Sequence, residues 1–253
     1  MYETNHLRWS SASLSHVGKV RQDNQDSCLA LPEAGLWVVA DGMGGHAAGE
    51  LASHMIINTL GRLAPSDQWE DFVEQVQACL QQTNRSLCEL STRLHARRTV
   101  GSTVVVLLAH DNQGTCLWVG DSRLYLLREG ELEQLTRDHS YVQELVDKGQ
   151  IKPREARVHP QNNVITRAVG QRNDLLIDRI DFPLQAGDVF LLCSDGLNKM
   201  VSDAEIDILL SCGSCQDTVQ SLIDLALRRG AYDNVTAVVV TVNDDVTAVE
   251  ALR

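Results

Sequence analysis

Four aspartates stand where apolar runs begin or end. The run at 37–40 delivers Asp41 and Gly42 ahead of a glycine-rich turn, and the run at 189–193 delivers Asp195 and Gly196 through Ser194. Asp233 comes just before a last apolar run at 235–242, and Asp121 lies between two strand-like stretches. A carboxylate beside an unshielded glycine carbonyl offers two oxygen ligands, and hard divalent cations prefer oxygen. A lone Asp-Gly pair is an ordinary turn. Recurrence changes the reading, because antiparallel strands gather their ends at two edges, where acids distant in sequence can meet. Four carboxylates at one edge repel each other unless cations lie between them. With no thiolate or histidine set in competition, an all-oxygen donor set points to Mg²⁺ or Mn²⁺ rather than zinc.

The elements that must position these acids can be read from periodicity. Residues 8–17 alternate loosely and predict a half-exposed strand; 29–31 and 36–40 predict strands bracketing a connection at 32–35. Residues 47–63 predict a helix with Ala48, Leu51, Met55 and Leu60 on its apolar face, stopped by Pro65. A second long helix, capped by Ser66 or Asp67, carries Phe72, Val76, Cys79, Leu80, Leu87 and Leu90 as its stripe. From 103 to 135 four strands follow with no helix between them (103–109, 115–119, 123–127 and 132–135), and joins this short require antiparallel neighbours. A short helix at 141–148, strands at 176–182 and 188–193, and helices at 203–210 and 216–229 precede the last strand. The class is α+β, which excludes a doubly wound sheet. No repeat or linker divides residues 1–253, so a single domain is expected, with a polar tail at its end.

Composition bounds the function. Acids outnumber bases 34 to 22 in 253 residues, a net charge of -12 that argues against nucleic acid or an anionic membrane as partner. No apolar run approaches the ~18 residues a bilayer crossing needs, and the first ten residues lack a signal-peptide core, so a cytoplasmic protein is expected. Seven scattered cysteines read as reduced thiols, and the C-x-x-C at Cys212 and Cys215 lacks a second pair to complete a zinc site. Gly42, Gly44 and Ala47 fit a dinucleotide-type G-x-G-x-x-A, but the two helices that follow without a strand oppose it. No G-x-S-x-G is present.

The segments RQDNQD (21–26), ADGMGGHAAGE (40–50), GST (101–103), VGDSRLY (119–125), LTRDHS (135–140), ITRAVG (165–170), LLCSDGL (191–197) and DNVTAVVV (233–240) together resemble the type 2C, or PPM-type, metal-dependent protein phosphatases in their compact bacterial form. That resemblance implies a four-layer αββα sandwich, two antiparallel sheets face to face with helices outside each, and a binuclear centre at the sheet edges. It implies that Asp41 bridges two Mg²⁺ or Mn²⁺ ions, that the Gly42 carbonyl binds one, that Asp195 and Asp233 complete the first ion's shell, and that Asp26 serves the second directly or through water. Arg21 matches the phosphate-binding arginine, and Asn24 positions its loop. The implied reaction is hydrolysis of phosphoserine or phosphothreonine monoesters by a hydroxide bridging the ions, on phosphoproteins made by a bacterial eukaryotic-like kinase, by a monomeric enzyme. The alternative is a catalytically weak, metal-bound module that works by binding phosphoproteins.

Two features depart from or extend the pattern. Some family members place a general-acid histidine directly after the Asp-Gly pair, where this chain has Met43; His46 is near but not equivalent. The leaving group is then expected to take its proton from water at a third, weaker metal site using Asp121 and Asp195. The family's mobile flap falls at about 138–172, and between Lys148 and Arg172 six bases (Lys148, Lys152, Arg154, Arg157, Arg167 and Arg172) stand against a single acid, Glu155, in an otherwise acidic chain. Recruitment of negatively charged phosphopeptides is the expected role.

Overall fold

Alternation along β3 (Leu36–Met43) dictates the layering. Leu36, Val38 and Ala40 point to one apolar cluster, while Trp37 and Val39 point to another, so this strand is buried on both faces. A strand of that kind requires a layer above and a layer below. The computed structural model describes residues 7–44, 47–66, 68–93 and 100–244. One sheet runs β1 (Leu7–His16), β11 (Val235–Asp244), β10 (Val189–Cys193), β7 (Arg123–Arg128) and β8 (Glu131–Gln134). The other runs β2 (Asp26–Leu31), β3, β5 (Val104–His110), β6 (Gln113–Val119) and β9 (Asp178–Pro183), with β4 (Gly101–Ser102) paired to the end of β3. Every pairing is antiparallel.

The sheets meet through Trp37, Val105, Leu107 and Trp118 on one side and Leu124, Phe190, Leu192 and Val240 on the other. Outside the second sheet, α1 (Ala47–Leu60) and α2 (Trp69–Arg93) contribute Ile56, Leu60, Val76, Leu80 and Leu87. Outside the first, α6 (Asp203–Leu210) and α7 (Cys215–Arg228) contribute Ile206, Val219, Leu222 and Ala226. The expected four layers are therefore present. Three short helices are α3 (Tyr141–Asp147), α4 (Pro153–Ala156) and α5 (Asp195–Asn198).

Several local expectations shift. β3 continues past Ala40 through Asp41 and Gly42 to Met43, because β4 supplies partners for Gly42 and Met43. The short join at 120–122 is not a hairpin: β6 and β7 belong to different sheets, and Gly120, with φ +112°, turns the chain between them. A Cβ there would also lie 2.6 Å from Thr103 Cβ. In α1 the buried face is Gly49, Ala52, Ser53, Ile56 and Leu60, and Leu51 is 42% exposed. That helix stops at Leu60 rather than at 63. The strand expected from 176 starts at Asp178. The proposed cap Asp67, His46 and the tail from 245 lie outside the described residues.

Candidate metal centre

The strand ends collect at one edge of the sandwich. Asp41 and Gly42 come from β3, Asp121 from the crossover, Asp195 from the first residue of α5 after β10, and Asp233 from the approach to β11. All five, with Arg21, line one cavity of about 750 Å³. Asp26, 5% exposed, lies behind that wall as the direct cross-strand partner of Asp41. Like charges placed opposite each other on neighbouring strands destabilise a sheet, so this pairing is a cost that a bound cation would relieve.

The backbone around Asp41 is held by the GST segment. Asp41 N donates to Thr103 Oγ1 at 3.1 Å, while its carbonyl accepts from Thr103 N at 2.8 Å and Ser102 Oγ at 2.9 Å. Thr103 Oγ1 in turn bonds Ser122 Oγ at 2.7 Å, tying Asp41 to the crossover that carries Asp121. Gly42 N donates to Gln25 O at 3.0 Å. The loop leading to Asp26 is pinned by Asn234, whose Nδ2 donates to Val17 O at 2.8 Å and Asp23 O at 3.0 Å and whose Oδ1 accepts from Gln25 N at 2.8 Å. Asn24 donates to Ser15 Oγ at 2.8 Å and accepts from Asp26 N at 3.2 Å.

Three of these acids are electrostatically out of place as carboxylates. Burial raises the Asp41 pKa well above the ordinary carboxylate range, and the charges of Asp26, Asp195, Asp121 and Asp233 raise it further. Burial also raises Asp26, against the Ser194 and Thr236 hydroxyls, and burial followed by Asp195 and Asp138 raises Asp121. Asp26 Oδ2 accepts from Ser194 Oγ and Thr236 Oγ1, both at 2.7 Å, but its buried Oδ1 has no partner. A crowded, all-carboxylate set with a bare buried oxygen is the donor chemistry of hard divalent ions.

The acids do not form a closed cage in this arrangement. Among the described residues no three His, Cys, Asp or Glu side chains draw together as ligands for one ion. Two of the carboxylates are paired with cations of the chain itself. Arg21 makes a bidentate pair with Asp233, Nε to Oδ1 at 2.9 Å and Nη2 to Oδ2 at 2.7 Å, and Lys199 pairs with Asp195. Met43, half-buried in β3, supplies no acid at the position after Gly42. Cys215 is buried with its Sγ donating to Ser10 O at 3.3 Å while Cys212 is exposed, and both are free.

Several residues that build this edge were not singled out from the sequence: Ser102, Thr103, Ser122, Ser194, Thr236, Asn234 and Lys199. The available signal was a hydroxyl inside an apolar run, since Ser194 and Thr236 flank or interrupt strands that are otherwise hydrophobic and both are fully buried. Thr236→Val keeps the volume and removes one of the two donors that orient Asp26. We expect it to raise the Mn²⁺ concentration needed for half-maximal binding by about 10–100-fold, measured by calorimetric titration, with the melting profile of the metal-free protein retained.

Residues 12–237 match the family described as Protein phosphatase 2C. The Streptococcus pneumoniae protein phosphatase PhpP is 40% identical over 240 residues, covering 92% of this chain and 97% of its own length. The serine/threonine protein phosphatase PstP of Mycobacterium tuberculosis is 41% identical over 234 residues; the chain spans only 45% of its length. Among solved structures, PppA, described as a key regulatory component of T6SS in Pseudomonas aeruginosa, superposes with a TM-score of 0.87 at 47% identity over 93% of this chain and 98% of that one. The catalytic domain of PstP in complex with two manganese ions superposes with a TM-score of 0.85 at 38% identity, covering 94% of this chain and all of that one. Since the match runs from within the first strand into the last, and a relative of similar length shares two residues in five, this chain belongs to the protein phosphatase 2C family.

Proposed function

We propose that this protein is a serine/threonine protein phosphatase that hydrolyses phosphoserine and phosphothreonine monoesters with two divalent cations held by Asp41, the Gly42 carbonyl, Asp195 and Asp233, and with Asp26 serving the second ion. The observation that carries the reading is the convergence of Asp41, Gly42, Asp121, Asp195 and Asp233 with Arg21 on one cavity. When bound, such a pair of cations supplies Lewis-acid stabilisation of charge on the phosphoryl oxygens and a water made nucleophilic near neutral pH. The chain's own residues do the rest. Asp41 is anchored through its backbone by Ser102 and Thr103, so its carboxylate is presented without a search through rotamers of a mobile loop. Arg21, at the cavity mouth, already grips a two-oxygen acceptor in Asp233, and its planar fork suits two phosphoryl oxygens equally.

The deciding experiment is dephosphorylation of a phosphothreonine peptide by chelator-treated protein, with and without Mn²⁺. Turnover that appears only with Mn²⁺ supports the phosphatase. Metal-dependent binding of the peptide without release of phosphate would instead establish the binding module.

The same reading extends to residues 1–253 acting as one catalytic unit with a flap at about 138–172. It further places the protein in the cytoplasm, as a monomer that reverses the products of a serine/threonine kinase. Likeness to the P. aeruginosa protein, described as a key regulatory component, supports a regulatory role, and no helix among the described residues is long and apolar enough to cross a membrane. In the flap, Lys148, Arg157 and Arg167 are paired with Glu144, Asp203 and Asp178. Lys152 and Arg154 are exposed, and Pro153 between them lines a second cleft of about 530 Å³ that opens beside Asp121 and Asp195. Double reversal to Glu at Lys152 and Arg154 is expected to lower kcat/KM on acidic phosphopeptides by about tenfold at low salt and to leave hydrolysis of p-nitrophenyl phosphate unchanged. Equal rates on the peptide would remove the recruiting role.

A further inference from the structure

The space between Asp121 and Asp195 is where a third, weaker ion would sit, and a side chain of the protein already reaches it. α5 begins at Asp195, and one helical turn later Lys199 returns its ammonium to the Asp195 carboxylate. The same Nζ donates to Asn163 Oδ1 at 2.6 Å, so a residue of the flap fixes it from a second direction. Asp121 faces it from the crossover. Asp121 lines the same cavity wall as Asp195 and Lys199.

Geometry and shelter separate this pair from an ordinary surface contact. The Lys199 side chain is 29% exposed and that of Asp195 15%, so solvent screening is reduced. Asp121, Asn163, Asp195 and Lys199 are common to the walls of the main cavity and of the cleft under the flap. Lys199 therefore stands at the partition between them. A divalent ion placed between Asp121 and Asp195 would confront a like charge at contact range in a partly desolvated site.

We propose that Lys199 is a tethered substitute for a third metal ion: its ammonium neutralises Asp121 and Asp195 and, through Asn163, couples the flap to the metal centre, leaving a two-ion enzyme. This rests on the metal centre assigned above. It makes Lys199 a positioning residue, since it acts on the carboxylates and the flap rather than on the phosphoryl group.

The test counts Mn²⁺ bound per chain by equilibrium dialysis into the millimolar range. Wild type is expected to take up two ions and no third. Lys199→Asp replaces the ammonium with an oxygen ligand and is expected to take up three. Lys199→Ala, which leaves Asp121 and Asp195 without a counter-charge, is the substitute should the aspartate variant fail to fold, and is expected to admit the third ion at higher Mn²⁺. Both variants are expected to exchange amide hydrogens faster than wild type around Asn163 when only the two tight sites are filled. A third ion in wild type with the affinity seen in the variants overturns the proposal, as do folded variants that stop at two. A wild type that binds no ion at all sinks the metal centre itself, an outcome distinct from either.

Discussion

Asp41→Asn is expected to lower kcat/KM on a phosphothreonine peptide by about three orders of magnitude, the loss that would follow if roughly 4 kcal/mol of metal-supplied transition-state stabilisation went with its central ligand. The substitution is nearly isosteric. The bonds that hold residue 41 run through its backbone to Ser102 and Thr103, so the strand end stays where it is and only the charge disappears. Stability of the metal-free protein moves in the opposite direction. The Asp41 carboxyl has a pKa raised by burial and by four neighbouring carboxylates. An acid whose folded-state pKa exceeds its unfolded value binds more protons folded than unfolded, so it removes stability as pH rises above about 4 and continues to do so up to the folded pKa. Asn cannot ionise. At neutral pH the chelator-treated variant is therefore expected to melt above chelator-treated wild type, a gain that added Mn²⁺ abolishes by stabilising wild type alone. Wild-type turnover in the variant, or a lower metal-free melting temperature, would contradict the assignment of residue 41.

Gly42→Ala carries the second large effect, and its cause is steric. A Cβ at this position would lie 2.1 Å from Gly49 O and 2.6 Å from Gln25 O. Both atoms are backbone, one at the start of α1 and one in the loop that delivers Asp26, so neither can rotate out of the way. Overpacking of this kind costs about 1–3 kcal/mol, and in a chain this size each kcal/mol lowers Tm by about 2–4 °C. A fall of roughly 6–12 °C at the upper end of that range is expected by scanning calorimetry. Phosphatase activity is expected to fall with it, because the displaced Gln25 adjoins Asp26 and is itself pinned by Asn234. An alanine variant with unchanged Tm and unchanged rate would mean that residue 42 has more room than the strand pairing allows.

The acids were legible because each follows or precedes an apolar run, and such runs are the strongest signal a single sequence carries. Asp41, Asp195 and Asp233 could be placed at strand boundaries from hydrophobicity alone. Their mutual approach needed the resemblance to the family or the coordinates, since hydrophobicity is silent on which strand ends share an edge. The extension of β3 through Met43 was hidden because its partner, β4, is two residues long and has no periodicity of its own. The crossover at 120–122 was hidden for another reason. A three-residue join normally makes a hairpin, and only the positive φ of Gly120 and its contact with Thr103 distinguish a change of sheet. In α1, Leu51 fitted the helical spacing, yet Ala52 and Ile56 face the sheet, because small residues near Gly49 let that side approach closely. Lys199 gave no signal, since a lysine four residues after an aspartate is an ordinary pair on a helix surface.

Asp26 and Asp41 belong to one sheet, whereas Asp195 and Asp233 adjoin strands of the other. Whatever neutralises all four therefore acts as a rivet across the seam of the sandwich. Prising that rim apart would separate the two acid pairs. Occupancy and cohesion are thereby thermodynamically linked, with an ion at a hundred times its dissociation constant adding about 2.7 kcal/mol against opening. A cell short of the cation would hold an enzyme that is idle and also easier to unzip at its working end.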